Sequence, residues 1–388
     1  LGYIGRLDAK FVSVINPFER LLFPIVESVQ EHRPSAWGSF YFDLGLGVFF
    51  IPVGLYFAAQ NPTNRNVYLI LFGLTTIYFA SSMVRLTLIM APALCLLWGL
   101  ALTRVLRPFI AVLKETPTTM KRKMRFEAHV GREFSAAFLI LIFLLFTFSF
   151  VFPSSESRAR GNPWPRVIEQ AYVPTTIASG GISVRPDETI TDWIDALAWI
   201  RNTDNVNVVL SWWDYGYWIT TIGEKSSLAD NATFNWTQIA NIGRVFMSNE
   251  PQALAIIKDW NNQARNLGKT ERITHVLVFT TFDSQGIDLK FGDETKWFWM
   301  AKIAELDDTK YGEITTSGQN VNWTDLGKST LIYKLMTYAK SQRIDTVEAP
   351  TIDPSFVPAY FSNMNRNELW NKGGLNAVVA IYEVKYES

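Results

Sequence analysis

The sequence predicts a polytopic α-helical membrane region followed by an external mixed α/β globular domain. Two observations carry that expectation. Four long apolar runs fall before residue 154. Beyond it, short apolar runs alternate with amphipathic segments, the pattern of strands and helices in a layered α/β fold. Length agrees, since 388 residues are enough for more than one domain. Lys+Arg and Asp+Glu both total 36, so no global charge points to nucleic acid. The single cysteine, Cys95, excludes a disulfide within the chain and any cysteine-based metal site. The chain begins at Leu1 and shows no signal peptide, as expected of a piece of a longer protein.

Residues 1–41 are mixed in character and read as an external loop. Residues 42–153 are read as the membrane region, with apolar runs at about 42–59, 67–84, 86–106 and 134–152. Each is near the roughly 17–25 residues that a helix needs to span a bilayer. Between the third and fourth runs stand Arg104, Arg107, Lys114, Lys121, Arg122, Lys123, Arg125 and Arg132. By the positive-inside rule that loop is cytoplasmic, so the first loop and everything after residue 153 lie outside. The turn at 61–66 is then also cytoplasmic.

Residues 154–388 form the expected external domain, entered through a segment rich in Pro, Ser, Gly and Arg. Residues 187–201 read as a helix with Trp193, Ala196, Leu197 and Ile200 on one face. Residues 206–210 read as a strand, 238–247 and 252–263 as helices, 273–279 as a strand and 375–386 as a late strand. The alternation argues for a mostly parallel sheet. Asp293, Lys296, Met300 and Ile303 fall at a spacing that puts them on one helix face. Residues 312–328 are polar and carry no pattern.

The stretch with the most chemistry is Ser211-Trp212-Trp213-Asp214-Tyr215-Gly216-Tyr217, at the end of the strand 206–210. Indole nitrogens only donate hydrogen bonds and a carboxylate only accepts, whereas a hydroxyl offers one donor and two acceptor lone pairs. Two Trp and one Asp can therefore saturate one hydroxyl. The plain structural alternative is an aromatic core cluster with an Asp turn. Two further features lie on the outer side. Ser28-Val29-Gln30-Glu31 precedes a span, and Arg85 stands between two long apolar runs. An ionisable residue at such a place is a functional-site hypothesis, with a snorkelling Arg as the alternative.

Trp212 to Gly216 resembles the WWDYG signature of the catalytic subunit of oligosaccharyltransferase, of archaeal and eukaryotic type. Ser28 to Glu31 is similar to that family's SVSE/TIxE motif, with Gln30 in place of the usual Ser. Asp293, Lys296 and Met300 resemble its DK motif, and Asp230 to Thr233 a DNxT stretch. The likeness covers nearly the whole chain but only the later part of the family's length.

The resemblance implies transfer of an oligosaccharide from a polyprenyl (dolichyl-type) phosphate or pyrophosphate to the Asn of Asn-x-Ser/Thr sequons. It implies that Trp212, Trp213, Asp214, Tyr215, Lys296 and Met300 bind the sequon. Glu31 would help hold a catalytic Mn2+ or Mg2+ and contact the acceptor amide. Arg85 and Tyr217 would contact the lipid donor. It further implies an N-terminal membrane part with additional acidic metal ligands, without which the chain is expected to be inactive. Accessory subunits and membrane lipids complete the implied partners, and an archaeal cell membrane is favoured over the ER. Asn231, Asn235 and Asn322 stand in sequons of their own and would face the compartment of modification. The alternative from another class is a membrane-anchored receptor or glycan-binding protein without catalysis.

Overall fold

A computed structural model describes residues 11–114, 131–159, 161, 163–172, 191–289, 291–314, 321–362 and 376–386. The chain divides into two compact units. One gathers the described residues of 11–21 and 29–172, the other those of 22–28 and 191–386. The expected boundary at residue 154 therefore shifts. Residues 154–172 belong with the apolar helices, where Gln170 donates to the Phe42 carbonyl.

The first unit is helical. It contains α1 (Trp37–Leu44), α2 (Phe50–Gln60), α3 (Asn64–Ser82), α4 (Thr87–Lys114) and α5 (Arg132–Phe150). Thr63 caps α3 by accepting from the Asn66 amide. Among the described residues three stretches are long and apolar enough to cross a membrane: Trp37–Gln60, Val84–Lys114 and Arg132–Phe150. Four spans were expected. The remaining run does form a helix, α3, but Asn64, Arg65 and Asn66 at one end and Thr75, Thr76, Ser81 and Ser82 along it dilute its apolar character. At 19 residues α3 is about 28 Å long, close to the thickness of a hydrocarbon core.

Small residues let these helices approach closely. A Cβ added at Gly54 would lie 2.4 Å from the Leu97 carbonyl oxygen. Ala80, Met90, Leu94 and Leu97 form the buried core. The apolar window of α5 is only 6% buried, so its Phe and Leu side chains face outward, as lipid contact requires. Arg104, Arg107 and Lys114 lie on α4 and Arg132 opens α5. The expected basic residues Lys121, Arg122, Lys123 and Arg125 lie outside the described residues.

The second unit is built on a five-stranded sheet of order β2-β1-β3-β7-β6. Its strands are β1 (Val208–Leu210), β2 (Ser226–Ser227), β3 (Ile273–Phe282), β6 (Phe356–Phe361) and β7 (Asn376–Val384). β1 runs parallel to β2 and β3, while β3 pairs antiparallel with β7 and β7 with β6. The sheet is thus half antiparallel, not mostly parallel. Strand β7 follows β6 in the chain and lies antiparallel between it and β3, so β7 is the one strand that runs against the others. β3 is buried at every position but Thr274, which explains its unbroken apolar reading.

Around the sheet lie α6 (Asp192–Asn202), α7 (Gly216–Thr221), α8 (Trp236–Met247), α9 (Glu250–Asn266), α10 (Trp297–Ile303) and α11 (Leu331–Ser341). On α6, Ala196, Leu197 and Ile200 are buried as the spacing predicts. Residues 312–328, uninformative in sequence, contain the antiparallel pair of β4 (Gly312–Ile314) and β5 (Val321–Trp323).

Candidate functional site

β1 ends at Leu210, and a tight turn at Trp213–Tyr215 leads into α7. Ser211, Trp212, Trp213 and Tyr215 are buried. Trp193 packs on Tyr215 with ring centroids 4.6 Å apart and on Phe279 at 5.3 Å. The rings are therefore core, as the plain structural alternative held. The polar atoms they carry are another matter. The Trp213 indole N–H is buried without a hydrogen-bond partner among the described residues. An orphaned buried donor calls for an explanation, and a bound acceptor is one.

Asp214 reaches the surface, with its side chain 26% exposed. Its Oδ2 pairs with Lys296 Nζ at 2.7 Å, and its carbonyl accepts from Asn231 Nδ2 at 3.0 Å. Among the described residues no group bonds its Oδ1. Lys296 Nζ also donates to the Tyr215 hydroxyl at 2.8 Å. That hydroxyl donates to Asp293 Oδ1 at 2.8 Å, and Asp293 Oδ2 accepts from the Phe279 amide at 2.8 Å. A chain of charge-assisted bonds thus runs from β3 through Asp293, Tyr215 and Lys296 to Asp214.

The electrostatics follow from burial. Asp293 is fully buried, and burial raises its carboxyl to about 6 against the lowering effect of Lys296. Burial and the neighbouring Asp293 and Asp214 carboxyls hold the Tyr215 phenol well above its ordinary value. Burial lowers Lys296, but Asp214 and Asp293 outweigh it and the ammonium is held above its usual value. Lys296 is therefore a fixed cation beside Asp214.

Gly216 is required by proximity rather than by backbone conformation. Its φ lies in the right-handed helical region, but an added Cβ would meet the Ala229 carbonyl oxygen at 2.1 Å. The segment pressed against it, Asp230 to Thr233, holds Thr233 buried at φ +50°, a strained backbone for a β-branched residue.

Other expected site residues fall elsewhere. Met300 is fully buried on α10, so in this conformation it presents no surface to a peptide. Asp293 was placed on one helix face with Lys296. The helix begins only at Trp297, and Asp293 sits in the turn before it, receiving the Phe279 amide. Tyr217 is 45% exposed on α7. Asn231 is tied to the Asp214 carbonyl, Asn235 caps α8 through the Gln238 amide, and Asn322 is exposed on β5. Asn231 as a support for Asp214 was not read from the sequence, where it appeared only as a sequon.

Glu31 and Arg85 lie in the other unit, where they pair with each other: Arg85 Nε lies 2.8 Å from Glu31 Oε2. Their side chains are 29% and 58% exposed. A pair so exposed is worth about 0–1 kcal/mol, so a stronger ligand can displace either partner. Arg85 occupies the 3-10 turn Val84–Leu86 between α3 and α4. Ser28 ends the short helix Pro24–Ser28, donating to the Ile25 carbonyl, and Glu31 sits in the turn Gln30–His32.

Among the described residues no group of three or more His, Cys, Asp or Glu could hold a metal ion. Mg2+ demands near-octahedral oxygen ligation, and one carboxylate already facing an arginine does not supply it. These residues alone do not fit Mn2+ or Mg2+.

Comparison with known proteins bears on the same residues. A family model described as "Oligosaccharyl transferase STT3, N-terminal" matches residues 4–98. The chain is 31% identical over 366 residues to the dolichyl-diphosphooligosaccharide–protein glycosyltransferase subunit STT3 of Dictyostelium discoideum, covering 90% of this chain and 46% of the relative. It is 30% identical over 322 residues to subunit STT3B of Arabidopsis thaliana, covering 78% and 40%. The chain thus spans under half the length of these relatives. In fold it is similar to the archaeal oligosaccharyltransferase AglB of Archaeoglobus fulgidus, solved with an inhibitory peptide and a dolichol-phosphate. That likeness has a TM-score of 0.53 at 17% identity, over 92% of this chain and 44% of the other. By these sequence likenesses, over most of its length, the chain is similar to the oligosaccharyltransferase STT3 family.

Proposed function

We propose that the chain forms part of an enzyme that transfers an oligosaccharide from a dolichyl-type phosphate or pyrophosphate to the Asn of an Asn-x-Ser/Thr sequon. The relatives' names support the reaction class. One observation carries the acceptor side. Asp214 Oδ1 and the Trp213 indole N–H, two residues adjacent in sequence, are an acceptor and a donor with no partner among the described residues. A Ser or Thr hydroxyl offers the complementary donor and acceptor lone pairs. Lys296 on Oδ2 fixes Asp214, so Oδ1 is preorganised to accept.

On this reading Glu31 accepts from the amide N–H of the target Asn. That contact weakens a conjugation strong enough to give amides a rotation barrier of roughly 18–20 kcal/mol. Arg85 leaves its exposed pair with Glu31 and takes up charge developing on the donor phosphate. Exchange of an exposed ion pair for a phosphate costs little. No step is routed through a metal. The second unit and residues 1–41 lie on the extracytoplasmic side, on the strength of the basic residues clustered between the α4 and α5 runs. Tyr217, exposed on α7, is a contact for the donor, and Met300 acts from within the core.

The test is sequon selectivity in the full-length enzyme. Sites that hydrogen-bond a substrate hydroxyl can reject the deoxy analogue by on the order of 10⁴–10⁵. Asp214→Ala is expected to collapse the ratio of Asn-x-Thr to Asn-x-Val glycosylation, mainly through loss of the Thr peptide. An unchanged ratio would leave the aromatic cluster as core and nothing more.

A further inference from the structure

We propose that Arg20 is a positioning residue that sets the distance between Glu31 and Arg85. The inference rests on the reading of those two residues as the amide and phosphate contacts. Arg20 lies in the turn Pro17–Leu22 and is 5% exposed. Its Nη1 donates to the His32 carbonyl, and its Nη2 donates to the carbonyls of Ser82 and, at 3.1 Å, of Ser13. His32 directly follows Glu31, and Ser82 ends α3 three residues before Arg85. One planar guanidinium therefore ties together the two backbones that carry the pair, and anchors both to a third.

Among the described residues no carboxylate pairs with Arg20; its partners are carbonyl dipoles. Burying a charge without a counterion is costly. A fold bears that cost only where the group holds something in place. The fork also explains why arginine stands there, since an ammonium cannot present two fixed nitrogens to three carbonyls. Neighbouring bonds extend the seam: Val84 N donates to Arg33 O at 2.9 Å, Ser35 N to Ser81 O at 3.1 Å and Ser82 Oγ to Val14 O at 2.8 Å. The seam aligns these stretches of backbone, and Arg20 bonds to three of them.

The test uses the full-length protein with Cys95→Ala, Glu31→Cys and Arg85→Cys, and a short bis-maleimide as a ruler between the two thiols. Arg20→Gln is expected to slow intramolecular cross-linking by about tenfold, and Arg20→Lys by less. In the enzyme without cysteine substitutions, Arg20→Gln should raise the donor KM, through Arg85, and the acceptor KM, through Glu31, each by about tenfold. Where Arg20→Gln does not accumulate, Arg20→Lys carries the same two measurements. Cross-linking within twofold of the parent overturns the role of Arg20. Slowed cross-linking with an unchanged donor KM upholds that role and overturns instead the reading of Arg85 as the phosphate contact.

Discussion

Removing one oxygen atom, by Tyr215→Phe, tests the chain of bonds that supports Asp214. The Tyr215 hydroxyl makes two charge-assisted bonds of 2.8 Å, one donated to Asp293 and one accepted from Lys296. Hydrogen bonds to charged groups are worth about 1.5–3 kcal/mol each, and the two share one atom, so the loss is about 2–4 kcal/mol. The ring stays, and so does the approach of Lys296 Nζ to it at 4.3 Å. Asp293 then keeps only the Phe279 amide as a donor. Its carboxyl, already raised to about 6 by burial, moves higher, because the lost bond had favoured the ionised form. The variant shifts Asp293 toward its neutral form, and Lys296 keeps its direct pair with Asp214 but loses the Tyr215 oxygen that held the ammonium in place. Every 1.4 kcal/mol is tenfold in affinity, so if about 1.4–2.8 kcal/mol of that loss reaches acceptor binding the acceptor KM rises by about 10–100-fold, with donor KM little changed. The defect should shrink as pH rises through the ionisation of Asp293. The assay is peptide glycosylation by the full-length enzyme at several pH values between 6 and 8.5. A variant whose acceptor KM matches the parent at every pH would show that the bonds are decoration on a packed core.

Two further outcomes follow from the same region. Gly216→Ala forces a Cβ against the Ala229 carbonyl, so the segment Asp230 to Thr233 must move, at a cost of about 1–3 kcal/mol; the Asn231 bond to Asp214 breaks with it, and sequon selectivity in peptide assays should fall along with the unfolding temperature. Glu294 is buried beneath the Thr281, Phe291 and Gly292 amides, and burial raises its carboxyl to about 7 from an ordinary 4.5. A folded-state value above the unfolded one means that the stabilising proton is fully present below about pH 4.5 and is lost as pH rises through 7, a change of about 3 kcal/mol. Glu294→Gln should remove that part of the slope in thermal unfolding followed by tryptophan fluorescence, leaving the same-signed contribution of Asp293.

The parts of the fold that could be read from the sequence are those in which one local pattern suffices. β3 and β7 announce themselves as apolar runs because both faces of each are covered. α6 and α8 declare their buried stripes by spacing. β6 was missed because Pro358 interrupts its six residues, as edge strands tolerate. The direction of β7 was not legible, because direction is set by how the chain returns and not by composition. At the site, Trp212 to Gly216 could be found from its residue types alone. Asp293 and Asn231 could be singled out by their motifs, but not the bonds they make: Phe279 on β3 holds Asp293 beneath Tyr215, and Asn231 meets the Asp214 carbonyl. Arg20 gave no signal at all, since a buried arginine bonded to carbonyls looks like any surface arginine in sequence.

The position of β3 between a parallel and an antiparallel neighbour bears on how the molecule is made. Val209 on β1 faces His275, and Val276 faces Tyr382 on β7. Pairings so distant along the chain form slowly, because loop closure must precede any reward. The strand β1 that leads into the turn carrying Trp212 and Trp213 gains its β3 partner only when residues 273–282 arrive, and β3 gains β7 only with residues 376–384. Until then two indoles and an apolar strand stand open to the wrong partners. A substitution in β7 is therefore expected to lower how many molecules mature more than the turnover of each one that does. For this protein the yield of active molecules and the quality of the site are written in different stretches of the chain.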